Sequence, residues 1–176
     1  MIRIVAYQNT WPELFELEAE ALRTSIGPLA LRIEHVGSTA VPGLMAKPVI
    51  DTQVSVASLV PMASFLTALE PLGYAHIALG EFDKVYPFFA KPAQWPSTHH
   101  VHLCEAGGEQ EARHLAFRDY LRAHPAACEQ YLQLKLQLAA ANDGATLEWR
   151  ERYSLGKTAF VESVLAAART PGDRVA

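Results

Sequence analysis

The sequence has few cysteines and no long apolar run, and each absence narrows the class of protein. Only two cysteines occur, Cys104 and Cys128, too few for a disulfide framework. No N-terminal run has the basic-then-apolar form of a signal peptide, and no apolar stretch approaches the roughly 20 residues that span a bilayer. We therefore expect a reduced, cytoplasmic setting and no membrane partner.

Positive charge is scarce as well. The chain has 15 Lys and Arg against 19 Asp and Glu, a formal net charge of −4, so we expect no general nucleic-acid binding. Half of its 176 residues are hydrophobic, enough for one domain with a sizeable core. No repeat, low-complexity segment or domain boundary interrupts the sequence, which predicts a single domain over residues 1–176.

The most informative stretch lies at residues 32–56, where two strand-like segments flank a polar loop. Gly37 lets a ligand approach the main chain, and Ser38 offers both an N–H group and a hydroxyl to an anion. Because side chains alternate along a strand, Asp51 and Gln53 share one face of the segment 49–56. An anion-holding turn beside oxygen ligands suits a nucleotide phosphate bridged to Mg²⁺ or Mn²⁺.

These residues also carry a family resemblance. Residues 34–44 and 47–51 resemble the signature of the GrpB family, a branch of the nucleotidyltransferase superfamily with a polymerase-beta-like fold, and residues 98–103, 113–125 and 153–157 resemble further parts of it. The first block reads Glu34-His-Val-Gly-Ser-Thr-Ala-Val-Pro-Gly-Leu44. The superfamily pattern places two carboxylates one residue apart and a third on a later strand. Gln53 stands at the second position, so the resemblance implies the fold more strongly than the activity.

The segment 98–105 contains three potential soft-metal ligands at alternate positions. If it is a strand, His100, His102 and Cys104 share one face. Ligands two apart on a straight strand lie about 7 Å apart, too far for three to close around one Zn²⁺. One interpretation places His100 and His102 beside Asp51, where an imidazole contacts phosphate, accepts a proton or completes a metal shell. The alternative is a pair of hydrogen-bonded structural histidines.

The third carboxylate of the superfamily pattern is missing from the strand expected at 98–104, and Glu105 follows just beyond that strand. Three alternatives stay open. Glu105 reaches the metal, histidine takes the carboxylate's place, or the metal chemistry has been lost.

The remaining pattern predicts an α+β fold. We expect a mixed or antiparallel sheet of about five strands, with helices on one face and a helical C-terminal half closing over the other. Thr10 is expected to cap the first helix, whose apolar stripe is Leu14, Leu17, Ala21 and Leu22. The other predicted elements are strands at 74–78 and 84–89, a helix at 58–70, a long helix after Gly107-Gly108, a helix break at His124-Pro125, a helix end at Asn142-Asp143-Gly144, a last helix at 147–168 and a loose tail after Thr170.

Several basic side chains in the helical half are candidates for binding phosphate. His114, Arg118 and Arg122 recur every four residues, so Arg118 either clamps a phosphate or pairs with Asp119 or Glu111. Lys135 and Lys157 can approach a phosphate from the helical half, although each, judged alone, is typical of a surface lysine. Trp95, in a proline-containing loop, is a candidate for base stacking or protein contact, although loop aromatics more often pack on their own domain.

The leading hypothesis is a nucleotidyltransferase-like enzyme that binds a nucleoside triphosphate with Mg²⁺. The alternative is a non-catalytic module for a nucleotide or a coenzyme A precursor, because the GrpB family resembles a domain attached to dephospho-coenzyme A kinase in some bacteria. The predicted phosphate-binding residues are Gly37, Ser38, Lys47, His100 and Arg118, the predicted metal ligands are Asp51, Gln53 and Glu105, and the predicted catalytic residues are Asp51, Gln53 and His102.

Overall fold

The computed structural model describes residues 2–142 and 146–169. Its five strands are β1 (Ala30–Val36), β2 (Ile50–Val56), β3 (Ala75–Ile77), β4 (Phe88–Lys91) and β5 (His99–Glu105). They form one mixed sheet in the order β1-β2-β5-β4-β3, in which β2 and β5 are parallel and the other neighbours are antiparallel. The predicted α+β class and the sheet of about five strands are confirmed.

Different helices cover the two faces of the sheet. On one face, α1 (Trp11–Ile26) and α2 (Met62–Leu69) pack on a core that includes Val54 of β2 and Leu103 of β5. On the other, α3 (Glu109–Ala123) lies over β1 and β2, to which it is tied by hydrogen bonds. The rest of the helical C-terminal half consists of α4 (Pro125–Ala141), α5 (Leu147–Leu155) and α6 (Thr158–Ala168).

The predicted face of α1 is wrong in part. Leu17 is 72% exposed and Leu14 is exposed too, although Leu22 is fully buried. Thr10 makes no side-chain capping bond. The helical spacing of apolar residues in α1 is compatible with more than one buried face. The face that contains the large aromatic side chains is the one that packs on the sheet. Its buried apolar members are Trp11, Phe15, Ala19, Leu22 and Ile26.

Three predicted element boundaries also differ from the structure. The helix expected at 58–70 begins only at Met62, directly after Pro61. Residues 84–89 do not form a strand, because Pro87 has no N–H group for a sheet ladder, and β4 begins only at Phe88. The predicted helix over 147–168 is interrupted at Gly156, where a Cβ atom would lie 2.5 Å from a methyl group of Leu138. The helix break at His124-Pro125 is confirmed.

The register of β2 between its neighbours positions the polar residues. Asp51 pairs with His100 and Gln53 pairs with His102 across the parallel ladder, so these four side chains leave the sheet on the same face. Within the described residues we find no helix whose length and hydropathy suit a bilayer span. The predicted helix end at Asp143-Gly144 and the tail after Thr170 lie outside the described residues.

Candidate functional site

The Gly37-Ser38 turn lies directly against the Asp51 carboxylate. Gly37 has φ +71° and ψ −169°, backbone angles that L side chains rarely adopt. A Cβ atom at this position would lie 2.5 Å from Asp51 Oδ2. The turn can therefore approach the carboxylate only because residue 37 is a glycine.

Two consecutive hydrogen bonds, which form a short relay, support this turn. Thr39 Oγ1 donates to the Val49 carbonyl at 3.0 Å and accepts from His35 Nε2 at 3.0 Å. The His35 ring stacks on Phe15 with centroids 4.7 Å apart. Burial lowers the pKa of His35 to about 4, so the ring is neutral at neutral pH and can serve as the donor that the relay requires. His35 is thus a structural part of the turn.

Asp51, His100 and His102 converge on one another, and we call them the Asp-His-His group. Their ligand atoms all lie within 4.8 Å of one another, and the side chains are half-buried. Asp51 Oδ1 is 2.9 Å from His100 Nδ1 and 3.5 Å from His102 Nε2. Burial alone raises the pKa of Asp51, but hydrogen bonds from the two imidazoles outweigh it and hold this pKa well below its usual range. The carboxylate is therefore ionised at neutral pH.

The Asp-His-His group forms part of the wall of a cavity of about 290 Å³, which we call the central cavity. Ser38 and Lys47, two of the predicted phosphate-binding residues, line the same cavity. The residues that line it are Ser38, Thr39, Lys47, Val49, Asp51, Phe88, His100, His102, Lys135, Tyr153, Ser154 and Lys157. Strands supply one wall, and α4, α5 and the turn before α6 supply the other.

Three lysines surround this cavity. Lys47 Nζ lies 4.0 Å, and Lys157 Nζ 4.8 Å, from the centroid of the Tyr153 ring. Lys135 is only 2% exposed, and its Nζ donates to the Met45 carbonyl, so the interpretation of Lys135 as a surface lysine is wrong. Burial lowers the pKa of Lys47 to about 8 and that of Lys135 to about 7. Because these lysines face a single carboxylate, Asp51, among the described lining residues, the cavity favours anions.

Gln53 lies beneath the cavity and does not line it. Its side chain is fully buried under α3, where His114 Nδ1 lies 2.7 Å from Gln53 Oε1. Among the described residues, Gln53 Nε2 has no hydrogen-bond partner. His114 also contacts the Tyr86 hydroxyl, and burial lowers the pKa of His114 to about 3. The structure thus places Gln53 in a packed polar layer next to the Asp-His-His group.

Arg118 contacts the residues that precede the Gly37-Ser38 turn and does not line the central cavity. Its guanidinium donates to Glu34 Oε2 at 2.8 Å and to the His35 carbonyl at 2.9 Å, and it also pairs with Asp119. Arg122, one turn later, donates to the Ala40 carbonyl. The basic face of α3 therefore clamps that helix onto β1 and the Gly37-Ser38 turn. Of the predicted alternatives for Arg118, pairing with Asp119 is the one that the structure contains.

Glu105 is not brought together with Asp51. Its carboxylate accepts from the Leu59 N–H group at 3.3 Å, and it lines a different cavity with Leu59 and Lys84. Cys104, the third potential ligand of β5, is buried with its Sγ 3.8 Å from Ser55 Oγ. Burial raises the pKa of the Cys104 thiol to about 11. Neither residue belongs to the central cavity.

Sequence reasoning missed two groups at this site. Tyr153 and Ser154 of α5 line the cavity, and the only signal for them is their position in the family-like run 153–157. Lys47 Nζ and the Arg150 guanidinium lie over the Trp95 ring, 5.4 and 4.9 Å from its centroid. The loop aromatic thus packs on cationic side chains of its own domain.

Comparison with known sequences identifies relatives over most of the chain. The family model described as GrpB protein matches residues 1–167. Glutamate-rich protein GrpB of Alkalihalophilus pseudofirmus is 34% identical over 167 residues, 92% of each chain, and UPF0157 protein YqkA of Bacillus subtilis is 35% identical over 162 residues, 92% of this chain and 46% of YqkA. A dephospho-CoA kinase of Mycolicibacterium paratuberculosis is 31% identical over 168 residues, 81% of this chain and 41% of the kinase. The chain spans less than half the length of the last two.

Comparison with solved structures agrees with the sequence relatives. The crystal structure of conserved protein GrpB from Enterococcus faecalis matches with a TM-score of 0.81 at 37% identity and covers 94% of this chain and 96% of that one. The Cid1 poly(U) polymerase, solved with MgGTP bound, matches with a TM-score of 0.52 at 13% identity over 79% of this chain and 45% of Cid1. At this identity the second likeness concerns the fold alone. The fold is therefore nucleotidyltransferase-like.

Proposed function

This chain belongs to the GrpB family, and on that premise we propose that it binds a nucleoside triphosphate with a divalent metal ion in the central cavity and transfers a nucleotidyl group to a small acceptor. The observation that carries the proposal is the joint placement of a glycine turn, one ionised carboxylate and three lysines around one cavity. Two free thiols, Cys104 and Cys128, support a cytoplasmic location.

Each part of the cavity has a role in this proposal. Ser38 would donate to a phosphate oxygen, and Lys47 and Lys157 would neutralise phosphate charge. Asp51 is the carboxylate that would hold the ion, and Mg²⁺ is commonly held by one or two carboxylates together with substrate phosphates. A bound ion would stabilise negative charge on the phosphates during transfer. Arg118 acts through the turn that it clamps, as a positioning residue.

Nucleoside triphosphates should raise the thermal stability of the protein when a divalent metal is present. A ligand at 100 times its Kd stabilises by about 2.7 kcal/mol if it binds only the native state. Lys157→Met should weaken this effect, because it removes a cavity charge and keeps the packing on Tyr153. The matched control is Lys84→Met, since Lys84 is exposed and paired with Glu81. No stabilisation of the wild-type protein by any triphosphate would contradict the proposal.

Anion affinity should also fall as the pH rises from about 6.5 to about 9, because the pKa of Lys135 near 7 and that of Lys47 near 8 lie in this window. Each lysine binds an anion best when protonated, and Asp51 stays ionised throughout. Sulfate is a suitable probe because its charge is constant over this range, and isothermal titration measures its affinity. Lys135→Met should flatten the lower part of the profile. A profile that is flat in the wild-type protein would show that these lysines do not hold the anion.

A second candidate function is a non-catalytic module that binds a nucleotide or a coenzyme A precursor. The similarity to a dephospho-CoA kinase favours it, as does Gln53, a neutral and buried side chain at the position of the superfamily's second carboxylate. Pyrophosphate release separates the two functions. A transferase should release pyrophosphate when it is given a triphosphate and a panel of hydroxyl acceptors, whereas a module should bind dephospho-coenzyme A or a nucleotide without release.

A further inference from the structure

The ligand types around the central cavity suit a transition metal better than Mg²⁺. Asp51 supplies the single carboxylate among the lining residues that the structure describes, and its Oδ1 lies 2.9 Å from a nitrogen of His100 and 3.5 Å from a nitrogen of His102. Mg²⁺ prefers an octahedron of oxygen ligands, whereas imidazole nitrogen suits Zn²⁺, Fe²⁺, Co²⁺ and other transition metals. Two imidazoles and one carboxylate are also the protein ligands of many open transition-metal sites.

We propose that Asp51, His100 and His102 form a binding site for a divalent transition metal, of which Zn²⁺ is the best probe, and that this site discriminates against Mg²⁺. The inference rests on the proposed function only for its place in the molecule, since the ion would lie at the cavity assigned to the phosphates. The inference differs from the proposed function in the metal ion, and binding of that ion can be measured with no nucleotide present.

The parallel register explains how two histidines of one strand can serve one ion. Ligands two apart on a strand are too distant to close a site by themselves, but Asp51 lies on the adjacent strand, paired with His100. Asp51 Oδ1 is within 3.5 Å of a nitrogen of each ring. The two rings are nearly perpendicular, at 86°, with centroids 6.2 Å apart. The carboxylate thus bridges the gap between the imidazoles.

The surroundings hold the rings without occupying all their polar atoms. Tyr86 and Phe88 each pack on the His102 ring with centroids 5.0 Å away. Among the described residues, His102 Nδ1 has no hydrogen-bond partner, so no protein group competes for that nitrogen. The remaining coordination positions of the ion would face the space lined by Ser38 and Lys47, where phosphate oxygens can complete them.

His99 provides a matched control on the same strand. It points to the opposite sheet face, where its Nδ1 lies 2.9 Å from Thr98 Oγ1 and its Nε2 lies 3.7 Å from Glu18. His99→Gln therefore removes an imidazole from β5 without altering the Asp-His-His group. His100→Gln and His102→Gln each remove one proposed ligand.

Isothermal titration of the metal-free full chain with Zn²⁺, Co²⁺ and Mg²⁺, without nucleotide, tests the inference. The wild-type protein should bind one Zn²⁺ at least about 100-fold more tightly than Mg²⁺, and each of the two ligand variants should lose at least about tenfold in Zn²⁺ affinity. His99→Gln should bind like the wild type. The visible absorption band of bound Co²⁺ should shift in both ligand variants and stay the same in the control, whereas unfolding would abolish the band.

The outcomes distinguish this inference from the proposed function. Equal affinities for Zn²⁺ and Mg²⁺, or Zn²⁺ binding that survives in both ligand variants, would overturn the inference. Triphosphate binding that depends on Mg²⁺ and is unaffected by His100→Gln would overturn it too, while leaving the proposed function in place. Tight Zn²⁺ binding without any stabilisation of the protein by triphosphate would support the metal site and contradict the proposed binding of a nucleotide.

Discussion

Asp51→Asn should abolish metal-dependent binding of triphosphate while leaving the fold in place. Among the described residues, Asp51 is the only carboxylate in the lining of the central cavity, and it accepts a hydrogen bond from His100 at 2.9 Å. Loss of a metal ligand should cost roughly 100-fold or more in metal affinity, because even changes outside the ligand shell cost about 10- to 100-fold. Isothermal titration with and without metal measures the loss.

The same substitution should act with the opposite sign in metal-free buffer. Removing a negative charge from a cavity that also contains Lys47 and Lys157 should leave anion binding unchanged or tighten it. Asp83→Asn is the control, because Asp83 also contacts a histidine, His76 at 3.3 Å, but away from the cavity. Equal metal-dependent binding by the Asp51 variant and the wild type would remove Asp51 from the site.

Gly37→Ala should lower stability and ligand binding together. The backbone at Gly37 lies in a region that is essentially restricted to glycine, and placing another residue there costs about 1–3 kcal/mol. The new methyl group would also meet Asp51 Oδ2 at 2.5 Å, so the carboxylate or the turn must move. Denaturant titration should show the stability loss, and isothermal titration should show weaker binding of both metal and triphosphate.

Gly27→Ala separates the backbone effect from the steric one. Gly27 has similar angles, φ +64° and ψ −141°, but a Cβ atom there would meet nothing within 4 Å. Its substitution should lower stability by a comparable amount and leave binding unchanged. If Gly37→Ala binds both ligands as the wild type does, the close approach of turn and carboxylate has no functional role.

The predictable part of the site follows from the period of two along a strand. That period is a local property of the chain, so the sequence alone places Asp51 on one face with Gln53, and His100 on one face with His102. Their assembly into one group needed the parallel pairing of β2 and β5. The roles assigned to these residues in metal and phosphate binding stay predictions.

The less predictable part depends on which helix packs where. Gln53 and Asp51 lie on the same face of β2, yet α3 covers the Gln53 side chain and leaves the Asp51 side chain on the cavity. Arg118 has the residue type and the helix face expected of a phosphate clamp. In the structure, however, its guanidinium donates hydrogen bonds to the Glu34 carboxylate and the His35 carbonyl. A sequence pattern states what a side chain can bind and does not state which partner is nearest.

By itself, the sequence determined the α+β class, the family, the glycine turn and the face on which the polar strand residues lie, because each of these follows from local pattern or from a specific motif. Only the tertiary structure decided that Lys135 and Lys157 join Lys47 around one cavity, that Glu105 lies elsewhere, and that a carboxylate sits between two imidazoles. The physical reason is that these contacts join residues distant in sequence, and packing between strands and helices sets their distances.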